Sequence, residues 1–191
     1  VNWKAVLPTL RRPGEGFRLS IKGDDRWGNP SNRLTGKIKL KTNLPVTGLN
    51  ETVDLKKGDF GVVIEGLSVE SPGVLHLTVL DENDQLIATA NPLVIRAADA
   101  AHFWSDMHAQ SGETIGVGTA REYFDFARNK AFLDIAGHQG NDFQITDAFW
   151  QHLNELTAEY NEDNRFMTLP GYEWSGNTGL GGDHHVWFRT E

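Results

Sequence analysis

Between residues 17 and 95 the sequence advances in short runs, FRLSIK, RLTGKIKLKT, FGVVIEGL, GVLHLTVLD and QLIATANPLVI, in which β-branched and apolar residues alternate with polar ones. Period-two alternation is the signature of strands that bury one face. The intervening DDRWGNPSN, LPVTGLNE and DENDQ supply Gly, Pro, Asn and Asp where the chain must reverse. No helical periodicity interrupts the runs. The expectation is an all-β N-terminal sandwich of immunoglobulin-like type over residues 1–98.

At RAADAAHF the pattern changes. GTAREYFDFARNKA places Thr119 and Glu122 three apart, the spacing of a capping box, and sets Tyr123, Phe124, Ala127 and Ala131 on one helical face. ITDAFWQHLNELTAEY repeats the device with Thr146 as cap and Phe149, Leu153, Leu156 and Tyr160 at helical spacing. Short apolar runs, HFWSDMH, FLDIAGH, RFMTLPGYE and HVWFR, surround these helices, and the order β-α-β-α-β-β predicts a parallel α/β layer over residues 99–191. A closed α/β barrel ordinarily takes roughly 200 residues. The second half is therefore expected to be the incomplete first part of such a fold, its sheet completed by another chain or by a missing C-terminal part.

Composition narrows the chemistry. The chain has no cysteine, so a transition metal would have to be held by His, Asp and Glu. Residues 1–98 carry 13 Lys and Arg against 11 Asp and Glu, whereas residues 99–191 carry 5 against 15, and six of the seven histidines lie in the second part. An acidic, His-rich half suits cations and small molecules and argues against a nucleic-acid surface, which needs clustered Lys and Arg. No run of eighteen apolar residues suggests a membrane span, and no charged start followed by an apolar stretch suggests a signal peptide. The compartment, cytoplasmic or periplasmic, is left open.

Residues of metal-ligand type recur at predicted strand ends. In HFWSDMHAQ, Asp106, His108 and Gln110 are two apart and leave an extended chain on one side. LDIAGHQGND delivers His138, with Asn141 and Asp142 just beyond, LPGYEWSGN delivers Glu173, and GGDHHVWF delivers Asp183, His184 and His185. In parallel α/β sheets the C-terminal strand ends share one rim, where ligands gather. A lone histidine near a strand end is more often a hydrogen-bonded structural residue, but four such addresses together favour a metal site. No G-x-S-x-G segment marks Ser111 or Ser175 as a nucleophile.

Residues 102–188 also resemble an uncharacterised bacterial family related to the PHP (polymerase and histidinol phosphatase) superfamily of metal-dependent hydrolases. The resemblance rests on the D-M-H-x-Q opening, GHQGNDFQ, PGYEWSGNT and the Gly-Gly-Asp turn. It implies a distorted (β/α) barrel whose rim binds two or three divalent ions (Zn, Mn or Fe), with His108 as the first metal-binding histidine, Glu173 as a bridging ligand, His138 as the ligand of the second motif with Asn141 or Asp142 competing for that place, and either His184 or His185 as the next. Gln110 stands where that superfamily has a second histidine, and an amide is the weaker zinc ligand.

Metal-activated water would then supply the chemistry: a divalent ion lowers the pKa of bound water to about 7. In this reading Glu173 and Asp106 are the catalytic carboxylates, Asp106 orienting His108 or accepting the nucleophile's proton. The expected function is a metal-dependent hydrolase, of phosphoesters by resemblance, acting on a small molecule. The alternative is a non-catalytic binding module with a degenerate metal site, in which the β domain binds a ligand or a protein through an exposed Trp3 or Trp27.

Overall fold

The structure is a computed structural model that describes residues 1–176 and 181–190. Asn177 and Thr178 of the PGYEWSGNT segment lie outside the described residues. The chain divides into two compact units, Val1–Phe103 and Trp104–Glu191.

The first unit is built from β1 (Asn2–Val6), β2 (Leu10–Arg11), β3 (Phe17–Asp24), β4 (Gly36–Thr42), β5 (Thr52–Leu55), β6 (Gly61–Leu67), β7 (Gly73–Leu75), β8 (Leu77–Leu80), β9 (Leu86–Thr89) and β10 (Leu93–Ile95). They form a three-stranded sheet in the order β1-β3-β6, a four-stranded sheet β5-β4-β8-β9, and a small sheet β2-β10-β7 in which β2 and β10 run parallel. Leu19 and Ile21 from the first sheet share one buried core with Ile38, Leu40, Leu77 and Val79 from the second. Two sheets closing on one core make a β-sandwich.

The boundary falls five residues later than the expected 98/99, for a local reason. Arg11 Nη1 donates to the His102 carbonyl at 2.7 Å, its guanidinium lies 4.8 Å from the Phe103 ring centroid, and Thr9 Oγ1 lies 2.9 Å from His102 Nδ1. These contacts bind the start of HFWSDMH to the sandwich, and the strand expected there begins only at Ser105. Trp27 is 74% exposed, with the Arg26 guanidinium over its ring.

The second unit carries β11 (Ser105–Ala109), α1 (Ala120–Asn129), β12 (Ile135–His138), α2 (Asp147–Tyr160), β13 (Met167–Thr168), β14 (Gly171–Trp174) and β15 (His184–Trp187). β11, β12 and β13 form a parallel sheet in that order, and β14 and β15 pair as an antiparallel hairpin. No closed barrel exists among the described residues. The barrel implied by resemblance is therefore corrected to an open three-stranded layer plus a hairpin. Among the described residues the structure is mostly β, with two α-helices.

Both helices start where their caps predict. Thr119 accepts from the Glu122 backbone N–H while the Glu122 side chain accepts from the Thr119 N–H, a complete capping box, and Thr146 accepts from Phe149 N–H. Their apolar faces meet over the sheet in a core of Ala120, Phe124, Ala127, Ala136, Leu153, Leu156, Tyr160 and Phe166. Among the described residues no helix is long and apolar enough to cross a membrane.

Phe124 is fully buried and stacks on Tyr160 at 5.5 Å, whereas Phe126, two residues on, is 43% exposed. Phe124→Ala should destabilise the second unit by about 3–5 kcal/mol. Phe126→Ala should cost less than about 1 kcal/mol. The check is urea denaturation followed by the helical circular-dichroism signal, which arises in the second unit alone.

Candidate metal centre

His108, Glu173 and His185 each place a ligand atom within 4.8 Å of the other two. His108 Nε2 lies 3.5 Å from Glu173 Oε1, and the rings of His108 and His185 meet edge to face at 4.1 Å between centroids. Donors bound tetrahedrally at about 2.0–2.1 Å stand a little over 3 Å apart, so closure on one ion requires about an ångström of movement. Both imidazoles are exposed, whereas Glu173 is 6% exposed.

Strand geometry explains the convergence. His108 lies on β11. Glu173 and His185 are cross-strand partners in the β14–β15 hairpin. The hairpin is fastened to the parallel layer because Glu173 N–H donates to the Gly140 carbonyl at 2.9 Å, just beyond the end of β12. Successive strand residues point to opposite faces, so the hairpin also decides between the two adjacent histidines. His185 faces Glu173, whereas His184 stacks on the half-exposed Trp174 at 5.5 Å.

Gln110 is brought to the site, but in a different role from the one expected. Its Nε2 donates to Glu173 Oε2 at 2.9 Å and to Asn141 Oδ1 at 2.9 Å, and Asn141 Nδ2 donates to the same Glu173 oxygen at 3.0 Å. Two amides thus occupy Oε2 and leave Oε1 toward the histidines. Through its Nε2, Gln110 thus holds the Glu173 carboxylate in place. Its own Oε1 is buried without a hydrogen-bond partner.

His138 is also corrected. It is 1% exposed, its ring lies 5.6 Å from Phe149 and 6.2 Å from Tyr123, and it faces the helices rather than the rim. Nδ1 accepts from the Gly140 N–H at 3.2 Å, so Nε2 carries the proton and donates to Ser111 Oγ at 2.7 Å. No lone pair remains for an ion. The Ser111 hydroxyl in turn donates to Glu113, whose carboxylate also accepts from the Ala120 N–H at the start of α1. Burial alone would raise Glu113, but these hydrogen bonds outweigh it and hold the carboxyl below its ordinary range. The polarity is the reverse of a nucleophile's relay, and Ser111 is fully buried.

Asp106 is not among the three converging residues. It is half-buried, and its Oδ1 accepts the His108 backbone N–H at 3.2 Å, which fixes the strand end. Asp142 Oδ1 serves the Phe143 and Ser175 amides, and Asp183 is exposed. Gln139 escaped sequence reasoning. It is fully buried, and its Oε1 lies 2.8 Å from His185 Nδ1. The available signal was an amide beside Gly-His and Gly in a strand end otherwise made of small and apolar residues.

Burial pushes His138 down to about 4, a shift that the nearby Glu113 only partly offsets. An unfolded histidine titrates near 6.5, so the folded form binds fewer protons between about 6.5 and 4. The stability linked to His138 is fully present above about pH 6.5 and is lost as pH falls toward 4. NMR titration should find its imidazole still neutral at about pH 5.5. A His138→Gln variant should lose one proton's worth of slope from the pH–stability curve in that window.

Comparisons with known proteins bear on identity more than on chemistry. A family model described as a protein of unknown function, DUF3604, matches residues 76–190. An uncharacterised protein of Chlamydia pneumoniae is 23% identical over 175 residues, covering 89% of this chain and 28% of that protein. One from Chlamydia trachomatis serovar D is 20% identical over 178 residues, covering 91% and 28%. The chain thus spans 28% of the length of these curated relatives. Among solved structures the D0-D1 domain of Intimin aligns with a TM-score of 0.36 at 15% identity, covering 49% of this chain and 47% of that chain, a likeness too slight to carry an argument. These findings overturn the resemblance to a PHP-related family: the family that matches is described only as one of unknown function, and the relatives only as uncharacterised. With more than half of its residues matched by the family model, the chain belongs to the DUF3604 family.

Proposed function

We propose that His108, Glu173 and His185 hold a divalent metal ion of the Zn, Mn or Fe class and that the second unit acts as a metal-dependent hydrolase. The observation that carries the reading is the convergence of three ligand atoms within 4.8 Å. Two imidazoles and one carboxylate form a donor set suited to zinc, and three protein ligands leave a fourth position for water. The exposure of His108 and His185 gives that position access to solvent, as a catalytic site requires and a closed structural site does not.

A metal ion here would supply a nucleophilic hydroxide at neutral pH and polarise the bond under attack. The chain's own residues present the ligands: Gln110 and Asn141 keep Glu173 Oε1 aimed at the histidines, and Trp187 backs the His185 ring at 6.2 Å. Gly137 makes room for Trp187, because a Cβ there would run into its ring. The phosphoester expectation rested on the resemblance alone, so a broader substrate class is proposed. The proposed substrate class is a hydrolysable small molecule, and among the described residues His108, Glu173 and His185 form the ligand group.

For the first unit we propose the immunoglobulin-like arrangement. It is supported by the pairing orders β1-β3-β6 and β5-β4-β8-β9, with the short parallel pair β2–β10.

Isothermal titration of zinc and manganese into the metal-free chain tests the metal reading. Binding should be stoichiometric and should weaken at least about 100-fold in Glu173→Ala and His185→Ala, each of which deletes one ligand of three. His184→Ala should bind as the parent does, because its ring faces away. Equal losses from His184→Ala and His185→Ala would contradict the site. Turnover of a hydrolysable ester panel that depends on added metal, and disappears in His108→Ala, tests the enzymatic part.

A further inference from the structure

We infer that Gln139 is the positioning residue that locks His185 in its Nδ1–H tautomer, so that Nε2 carries the lone pair offered to the metal. The tautomer follows from hydrogen-bond polarity. Gln139 Nε2 donates to the His138 carbonyl at 3.2 Å and to the Val186 carbonyl at 3.5 Å. Because both of those neighbours only accept, the amide cannot be turned around without facing its oxygen toward two carbonyls. Gln139 Oε1 is thereby directed at His185 Nδ1, 2.8 Å away. An amide oxygen only accepts, so Nδ1 must be the protonated nitrogen.

The surroundings are built to keep this amide in place. Gln139 is fully buried in the chain following β12, and it faces the hairpin while its neighbour His138 faces the helices. Gly171, paired with Trp187 across the hairpin, has no side chain where the Gln139 amide lies, and a Cβ there would collide with Nε2. An exposed imidazole would otherwise divide between tautomers and rotate. Held by Gln139, it presents one nitrogen in a set direction before any ion arrives, the function that partners of metal-bound histidines commonly serve.

The consequence for metal affinity rests on the proposed site, but the tautomer does not, and the experiment separates them. Protein labelled with nitrogen-15 histidine is examined metal-free at about pH 8.5, above the ordinary imidazole range. His185 is identified by the signals lost in His185→Gln, and the sample is then titrated with zinc. In the parent chain His185 should show a protonated Nδ1 and an unprotonated Nε2. In Gln139→Met the Nε2–H form, which free imidazole side chains favour, should predominate, and zinc affinity should fall about 10- to 100-fold.

An Nε2–H tautomer in the parent chain overturns the inference, as do an unchanged tautomer and unchanged affinity in Gln139→Met. The parent measurement needs no substitution, so it decides the matter even if the variant misfolds. A locked tautomer in a chain that binds no zinc would count against the metal site and leave the role of Gln139 standing.

Discussion

Glu173 is 6% exposed, and taking a carboxylate out of water is costly unless hydrogen bonds replace those lost. Here Gln110 from the chain following β11 and Asn141 from the chain following β12 both donate to its Oε2. One buried oxygen therefore ties two strand ends to β14, and Asn141 extends the tie by donating to Ser175 Oγ at 2.8 Å. Removing either amide would leave a buried charge short of a partner, the situation in which hydrogen bonds count most. The remaining oxygen, Oε1, is what the rest of the site is arranged around. The cost of burying this group is offset by a network whose open side faces two imidazoles.

Amides supply the rigidity of the site in both directions. Gln110 and Asn141 hold the carboxylate, and Gln139 holds one imidazole through the opposite end of the same functional group, acceptor rather than donor. Amides are neutral, so they orient charged or metal-binding groups without adding charge of their own. The acidic balance of residues 99–191 thus does not describe the site well. Most of those carboxylates are exposed, and the one that matters is buried among neutral partners.

Local signals in the sequence carried much of the fold. Thr119 with Glu122, and Thr146 ahead of Phe149, marked both helix starts because capping is a property of a few consecutive residues. Alternation marked the strands of the sandwich, though GVLHLTVLD divides at His76 and QLIATANPLVI divides before Leu93. Those breaks are tertiary: the His76 N–H is taken by Asn43 Oδ1 at 2.7 Å, and Asn91 is engaged with Leu7, 84 positions away. The site was legible as a set of residue types at strand ends. Which face each side chain takes was not, because His138 and Gln139 exchange roles with a single step along the chain. The choice of His185 over His184 likewise depends on the hairpin register, which pairs His185 with Glu173.

The central claim is that one ion sits between His108, Glu173 and His185. Anomalous diffraction at the zinc edge from crystals of the chain grown with zinc tests it most directly. The account predicts a peak about 2.0–2.2 Å from an imidazole nitrogen of His108, from His185 Nε2 and from Glu173 Oε1, with His138 still bonded to Ser111. A zinc-saturated crystal with no density among those three side chains, or with the ion on His138 or His184 instead, would contradict it.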